Sequence, residues 1–364
     1  MNEKMSSKRL SVMMLAPVLL LAGLLFISCA GIFGNRLPPL PKKTGMAAFE
    51  GPPLLVDAAY VYQKLQQGNV KLIDVRSRDD YTTGHLVGAI NIPATAWRTR
   101  DAAQVYHQGN DPLRPFDHRH YEDFLGDRGI SETDEVIVYG DPRMLTQSMA
   151  PVMILDWLGH RRVHFFDGDA VQIWSQGGMP LDRQNVRFRQ LTEYRSEPNP
   201  ELLWNKQDML DMLAKPSGDY ILWDCRSREE YEGMVQLRDV ERAGHIPRAV
   251  HLDYMELYLD SPLFQVRGLS ELKIRLKKAG IKPNKQVVIY CHNGSRAAYA
   301  YLVLRMMDYP DVAVYDHSWS EWGNDGDLPA VQLFDGEPTV VTNPPRKLLQ
   351  KPKLGATGLR NLRW

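Results

Sequence analysis

Cys291 ends the run Val287-Val288-Ile289-Tyr290, four residues that favour a buried strand. The polar residues His292-Asn293-Gly294-Ser295 follow it, and Arg296-Ala297-Ala298 then begins a segment with helix-forming character. A thiol at such a strand-to-helix junction meets backbone N–H groups and the positive end of a helix dipole, both of which favour the thiolate. That is the setting of a nucleophilic cysteine. The loop from Cys291 to Arg296 can curl its N–H groups around an anion, and Gly294 lets the backbone turn with no Cβ in the way. Arg296 either adds positive charge to the site or braces the loop through an ion pair. His292 can carry partial charge near neutral pH.

Composition narrows the chemistry. The chain has only three cysteines, Cys29, Cys225 and Cys291, far apart and without a CxxC pair. A disulfide framework and a structural zinc site are therefore not expected, and neither a metal nor a cofactor is called for. Lys+Arg and Asp+Glu are equal at 44 each, so nothing points to nucleic acid. A hydrophobic share of 44% against 24% charged residues supports an ordinary globular core. At 364 residues there is room for roughly two domains.

The amino terminus reads as a targeting segment. Lys4, Lys8 and Arg9 precede an apolar run from Leu10 to Ile27, which ends in Phe26-Ile27-Ser28-Cys29-Ala30-Gly31. This resembles a bacterial lipoprotein signal over residues 1–28, with Phe26 where leucine is usual. The resemblance implies a mature chain that begins at Cys29, lipid-modified and held to a membrane. Ala30 in place of aspartate points to an outer-membrane lipoprotein facing the periplasm. An uncleaved signal anchor and a plainly secreted chain are the alternatives, and each places the fold outside the cytoplasm. Residues 29–52 read as a spacer.

From residue 53 one pattern occurs twice. Asp74-Val75-Arg76-Ser77-Arg78-Asp79-Asp80-Tyr81 followed by Gly84-His85-Leu86 is answered by Asp224-Cys225-Arg226-Ser227-Arg228-Glu229-Glu230-Tyr231 and Gly244-His245-Ile246, with the leading aspartates 150 residues apart. Val136-Ile137-Val138-Tyr139 is answered by Val287-Val288-Ile289-Tyr290 at an offset of 151. The chain is thus a duplication, with a first domain at 53–185, a linker at 186–202, a second domain at 203–330 and a carboxy-terminal extension at 331–364. Short apolar strands alternate with helical segments, which predicts α/β domains, each a mainly parallel sheet flanked by helices. Strands are expected at 71–75, 135–139, 163–166, 220–224, 286–290 and 312–315, and helices at 58–67, 121–128, 149–158, 207–215, 269–278 and 296–307.

The sequence Asp-x-Arg-Ser-x-x-x-Tyr, then Gly-His, then a strand ending in Cys-x-x-Gly-x-Arg resembles the rhodanese fold. Tyr315-Asp316-His317-Ser318-Trp319-Ser320-Glu321-Trp322 is similar to a segment of the tandem thiosulfate and mercaptopyruvate sulfurtransferases. The resemblance covers about residues 53–330 and implies sulfur transfer through a persulfide on Cys291, with a small sulfur donor and a thiol or cyanide acceptor. Gly140 stands where the second copy has Cys291, so the first domain is expected to be catalytically silent. Phosphatases related to this fold carry one more residue between cysteine and arginine than the four found here, which favours sulfur over phosphate.

The donor is harder to read. Cys291-His292-Asn293-Gly294-Ser295-Arg296 matches neither the basic loop of thiosulfate enzymes nor the small polar loop of mercaptopyruvate enzymes. Arg238 lies at the spacing of one carboxylate-binding arginine of the latter, but its partner position falls near Glu230, which has the wrong sign. Thiosulfate or a related sulfur oxyanion or polysulfide is favoured, with 3-mercaptopyruvate as the alternative. Candidate substrate-binding residues are Arg238, Trp97 and Arg98, the last two with Arg100 facing the cleft between domains; His118 aligns more loosely. Asp74, Arg76, Asp224, Arg226, His85 and His245 read as braces of strand ends and turns. Cys225 is either a small buried hydrophobe inside a strand or a thiol that pairs with Cys291. Trp319 and Trp322 either pack beneath the loop or line the cleft. The basic extension is either wrapped over the domains or in contact with an anionic surface or partner. A different class of function stays open beside the enzyme: a non-enzymatic sulfur or chalcogen carrier, or a scaffold for an envelope redox partner protein.

Overall fold

The computed structural model describes residues 54–341, apart from 69, 99–116, 185–190, 260, 262 and 335–336. The expected signal, Cys29, the spacer, Arg100 and the basic part of the carboxy-terminal extension at 342–364 lie outside the described residues.

Two parallel five-stranded sheets organise the chain. The first contains β1 (Leu55–Val56), β2 (Val70–Asp74), β4 (Ile90–Asn91), β5 (Glu135–Tyr139) and β6 (Val163–Phe166), in the order β1-β6-β5-β2-β4. The second contains β8 (Leu203–Trp204), β9 (Tyr220–Asp224), β10 (Val250–His251), β11 (Gln286–Tyr290) and β12 (Val312–Tyr315), in the order β8-β12-β11-β9-β10. The two orders are the same when read from corresponding edges, so the sequence repeat is a repeat of topology. Registers also correspond: Asp74 pairs with Tyr139 in the first sheet and Asp224 with Tyr290 in the second. The central strands are buried on both faces, as β-branched and aromatic residues without alternation require of a parallel sheet covered by helices.

Of the six expected strands, 135–139, 163–166, 220–224, 286–290 and 312–315 match outright, and the one expected at 71–75 is displaced by one residue. Two-residue edge strands such as β1, β4, β8 and β10 have too little sequence to show a period. A short antiparallel pair joins β3 (His85–Leu86) to β7 (Leu181–Asp182). Where an extension was expected from 331 onward, β13 (Ala330–Phe334) and β14 (Glu337–Val341) form an antiparallel hairpin, tied to the second domain by reciprocal hydrogen bonds between His245 and Val331.

Helices α1 (Ala58–Gln67), α2 (Arg78–Thr83), α3 (His118–Gly126), α4 (Leu145–Trp157) and α5 (Ala170–Gln176) belong to the first domain. Helices α6 (Lys206–Leu213), α7 (Arg228–Glu232), α8 (Leu269–Lys278), α9 (Ser295–Met306) and α10 (Ser318–Trp322) belong to the second. α4 and α9 are equivalent, each following the central strand of its own sheet, and they pack against one another as the spine of the interface. Both are apolar round most of their circumference, because one side faces the home sheet and the other faces the sibling domain. Asp156 on α4 accepts from Tyr301 and from Arg305 (Nε, 2.9 Å) on α9. A second tie lies nearby: Asp167, buried just past β6, accepts from the Val266 amide at 3.0 Å.

Candidate active site

Cys291 is the first residue beyond β11, and α9 starts four residues later at Ser295. Gly294 supplies the turn between them with φ +83°, a left-handed conformation that side chains disfavour. A Cβ there would stand 2.6 Å from the carbonyl oxygen of Asp316 and 2.7 Å from Arg98 Nη1, so the position needs glycine on steric grounds as well. The turn aims the Gly294 N–H at Cys291 Sγ, 3.1 Å away. The loop is also held from α10: Trp319 N–H donates to the Cys291 carbonyl (3.0 Å) and Ser320 N–H to that of His292 (2.8 Å). The Ser318 hydroxyl accepts from the Cys291 N–H at 3.1 Å.

The electrostatics favour a thiolate. Cys291 is fully buried, which alone would push its thiol up. A hydrogen bond from Cys225, the charge of Arg296 and the N–H groups of Ala297 and Asn293 outweigh burial and hold the thiol well below its usual range. Cys225 shows the reverse: burial, then the thiolate beside it, push its own thiol well up. Cys225 lies one residue past β9 and not inside a strand, because the ladder ends where Asp224 meets Tyr290.

Arg296 is a brace that also contributes charge. Its guanidinium forms a two-point ion pair with Glu230, at 2.5 Å and 2.9 Å. Burial would push the Glu230 carboxyl up, but Arg296, aided by Arg226 and the Ser227 amide, pulls it down to about 2. Thus the acidic residue at the place of a second carboxylate-binding arginine is already satisfied by the loop's own arginine. His292 Nε2 lies 2.7 Å from Asp239 Oδ2, while Nδ1 is buried without a protein partner. Asp239 is positioned by its carbonyl, which accepts from Asn324 Nδ2 at 2.9 Å.

The other candidates separate clearly. Arg98, from the first domain, donates Nη1 to the Asn293 carbonyl at 2.9 Å and forms an ion pair with Asp316, so it caps the loop across the interface. Trp97 is not a cleft residue: it is fully buried between Tyr121 and Phe124, and its Nε1–H reaches Ile92 O at 3.3 Å. The sequence could not show this, since the facing of a single short turn leaves no period to read. Arg238 is exposed on the segment next to Asp239. Asn293 and Ser295 lie in the loop, with Ser295 N–H 3.4 Å from Asn293 Oδ1. His118 opens α3, paired with Asp117 at 3.2 Å.

The expected braces act as braces. Arg226 forks onto Asp224 and reaches the Gly244 carbonyl at 2.6 Å; Arg76 does the same with Asp74 and Gly84 at 2.8 Å. His245 stacks on Tyr231 and His85 on Tyr81, with ring centroids 3.8 Å and 3.6 Å apart. Trp319 and Trp322 are buried, the first against Arg226 and the second against Tyr315. Sequence reasoning missed Asp239, Asp316 and Glu230 as partners of the loop, because each pairing depends on the order of strands. Among the described residues, no group of three or more His, Cys, Asp or Glu side chains is placed to hold a metal ion.

The equivalent site in the first domain is closed. A Cβ on Gly140 would stand 2.2 Å from Ser148 Oγ and 2.9 Å from Val75 Cγ2. Pro142 replaces a donor N–H, and Arg143 turns back onto Asp141 at 2.8 Å.

Comparison with known proteins agrees with this geometry. The family description "Rhodanese-like domain" matches residues 57–176 and 205–325. The thiosulfate sulfurtransferase of Azotobacter vinelandii is 27% identical over 287 residues, covering 78% of this chain and 99% of that protein. The sulfur carrier protein TtuD of Thermus thermophilus is 30% identical over 302 residues, covering 79% and 98%. Among solved structures, the anaerobic ergothioneine biosynthesis enzyme of Chlorobium limicola, bound to trimethyl histidine, shares the fold with a TM-score of 0.66 at 24% identity, over 76% of this chain and 69% of that one.

Proposed function

The chain belongs to the rhodanese-like family in tandem form, and from that premise we propose that it moves a sulfane sulfur from thiosulfate, or a closely related sulfur anion, to a thiophilic acceptor through a persulfide on Cys291. The observation that carries the reading is the thiolate-stabilising cradle: Gly294 N–H at 3.1 Å from Sγ, with the charge of Arg296 close by. In the first half-reaction the thiolate attacks the outer sulfur of thiosulfate, the S–S bond breaks, and sulfite leaves with the electron pair. In the second, cyanide or a thiolate attacks that outer sulfur and Cys291 regains its thiolate.

Several features support an oxyanion donor over 3-mercaptopyruvate. A carboxylate clamp needs two cations, and the second position is held by Glu230, bound to Arg296. Besides Arg296, Arg98 binds the Asn293 carbonyl, and exposed Arg238 adjoins Asp239, the partner of His292. Either suits a compact dianion. Incubation with thiosulfate and cyanide is expected to yield thiocyanate, and Cys291→Ser to abolish it. Thiocyanate formation that survives in that variant would remove Cys291 from the role, and turnover of 3-mercaptopyruvate alone would overturn the donor.

A further inference from the structure

Cys225 has no part in the sulfur-transfer cycle just described, yet it follows the register partner of the residue before Cys291. Asp224 and Tyr290 are register partners on adjacent parallel strands, and the two cysteines are the next residue on each. Neighbouring strands lie roughly 4.8 Å apart, and residues in register point to the same face. A spacing of that size lies within the range of about 4.4–6.8 Å between Cα atoms that a disulfide bridges. Cys225 N–H and Sγ both reach the Tyr290 carbonyl, at 3.0 Å and 3.3 Å, which fixes the thiol beside Cys291. Both thiols are free and fully buried.

We propose that Cys225 resolves the Cys291 persulfide, releasing its outer sulfur as hydrosulfide. The Cys225 sulfur attacks Cys291 Sγ, a Cys225–Cys291 bond forms, and the bond between Sγ and the outer sulfur breaks. The outer sulfur leaves with the electron pair and takes the proton from Cys225. One sulfane sulfur is reduced to sulfide while two thiols are oxidised to a disulfide, which a dithiol reductant reopens by exchange. This gives the protein a second outlet for sulfur, used when no acceptor occupies the cleft. The inference rests on the persulfide reading above.

The test loads the full chain with thiosulfate anaerobically, without cyanide or thiol, and follows sulfide and intact mass. Wild-type protein is expected to release about one sulfide per chain and end about 2 Da lighter, with the peptides of Cys225 and Cys291 linked. Cys225→Ala, loaded at about pH 9 so that Cys291 ionises without its neighbour, is expected to hold the adduct at about 32 Da and release no sulfide. A wild-type persulfide that persists with no sulfide overturns the role of Cys225 alone. Absence of both adduct and disulfide in either protein overturns the persulfide reading and this inference with it.

Discussion

Arg296 illustrates how one side chain serves two ends at residue scale. Its charge favours the Cys291 thiolate, and its fork neutralises a carboxylate that would otherwise be buried alone. Removing it leaves Glu230 unpaired, which typically costs about 3–5 kcal/mol. Arg296→Ala is therefore expected to lower the unfolding midpoint and to move the pH profile of Cys291 alkylation upward. Adding Glu230→Gln should restore much of the stability but not the reactivity, so the two roles separate; recovery of both would mean that Arg296 acts only as a brace. Glu230 also sets an acid limit. Its folded pKa of about 2 lies below the ordinary 4.5, so its contribution is present above pH 4.5 and is lost as pH falls towards 2. In sequence, Cys291 was legible because strand, loop and helix are contiguous. Glu230 looked like a defect because its partner is 66 positions away.

At the scale of elements, the sequence was most informative where a central strand is continuously apolar or a helix clearly amphipathic. β5, β11 and α8 were readable to the residue, whereas the edge strands acquire their identity only from a neighbour. The contrast between the two central loops belongs here as well. In the second domain the chain opens around Gly294 to expose N–H groups to sulfur; in the first it is filled by Ser148 and turned by Pro142. Gly140→Cys is accordingly expected to add no reactive thiol. Thiol titration of the double variant Gly140→Cys/Cys291→Ser, read together with thiocyanate formation, checks this. Rapid labelling of the introduced thiol, or restored turnover, would show that the first loop keeps a usable cradle.

For the whole molecule, the decisive contacts are those that cross between domains, which the sequence could only suggest through the candidacy of Arg98. Asp167, which accepts from the Val266 amide across the interface, is one of them. Burial raises its carboxyl to about 6 from an ordinary 3.8, so the folded state binds the proton more tightly than the unfolded chain. Stability linked to this group is fully present below pH 3.8 and is lost as pH rises through about 6. Asp167→Asn keeps an oxygen for the Val266 amide and removes the charge. It should raise stability by on the order of 2 kcal/mol at about pH 8 and leave it nearly unchanged at about pH 4. Denaturant unfolding at the two pH values tests this, and an equal effect at both would dismiss titration as the cause.

Arg98 has a kinetic consequence of its own. Cys291, whose loop Arg98 holds at Asn293, has no solvent contact, yet a donor must touch its sulfur to react. Were the path to that sulfur to run past Arg98, each encounter would wait for the arginine to let go of Asn293 and Asp316, and the frequency of that release would cap the turnover of every donor alike. A fast chemical step would be hidden behind it. The first domain, with Gly140 at the place of Cys291, would thereby act as the timekeeper of the second.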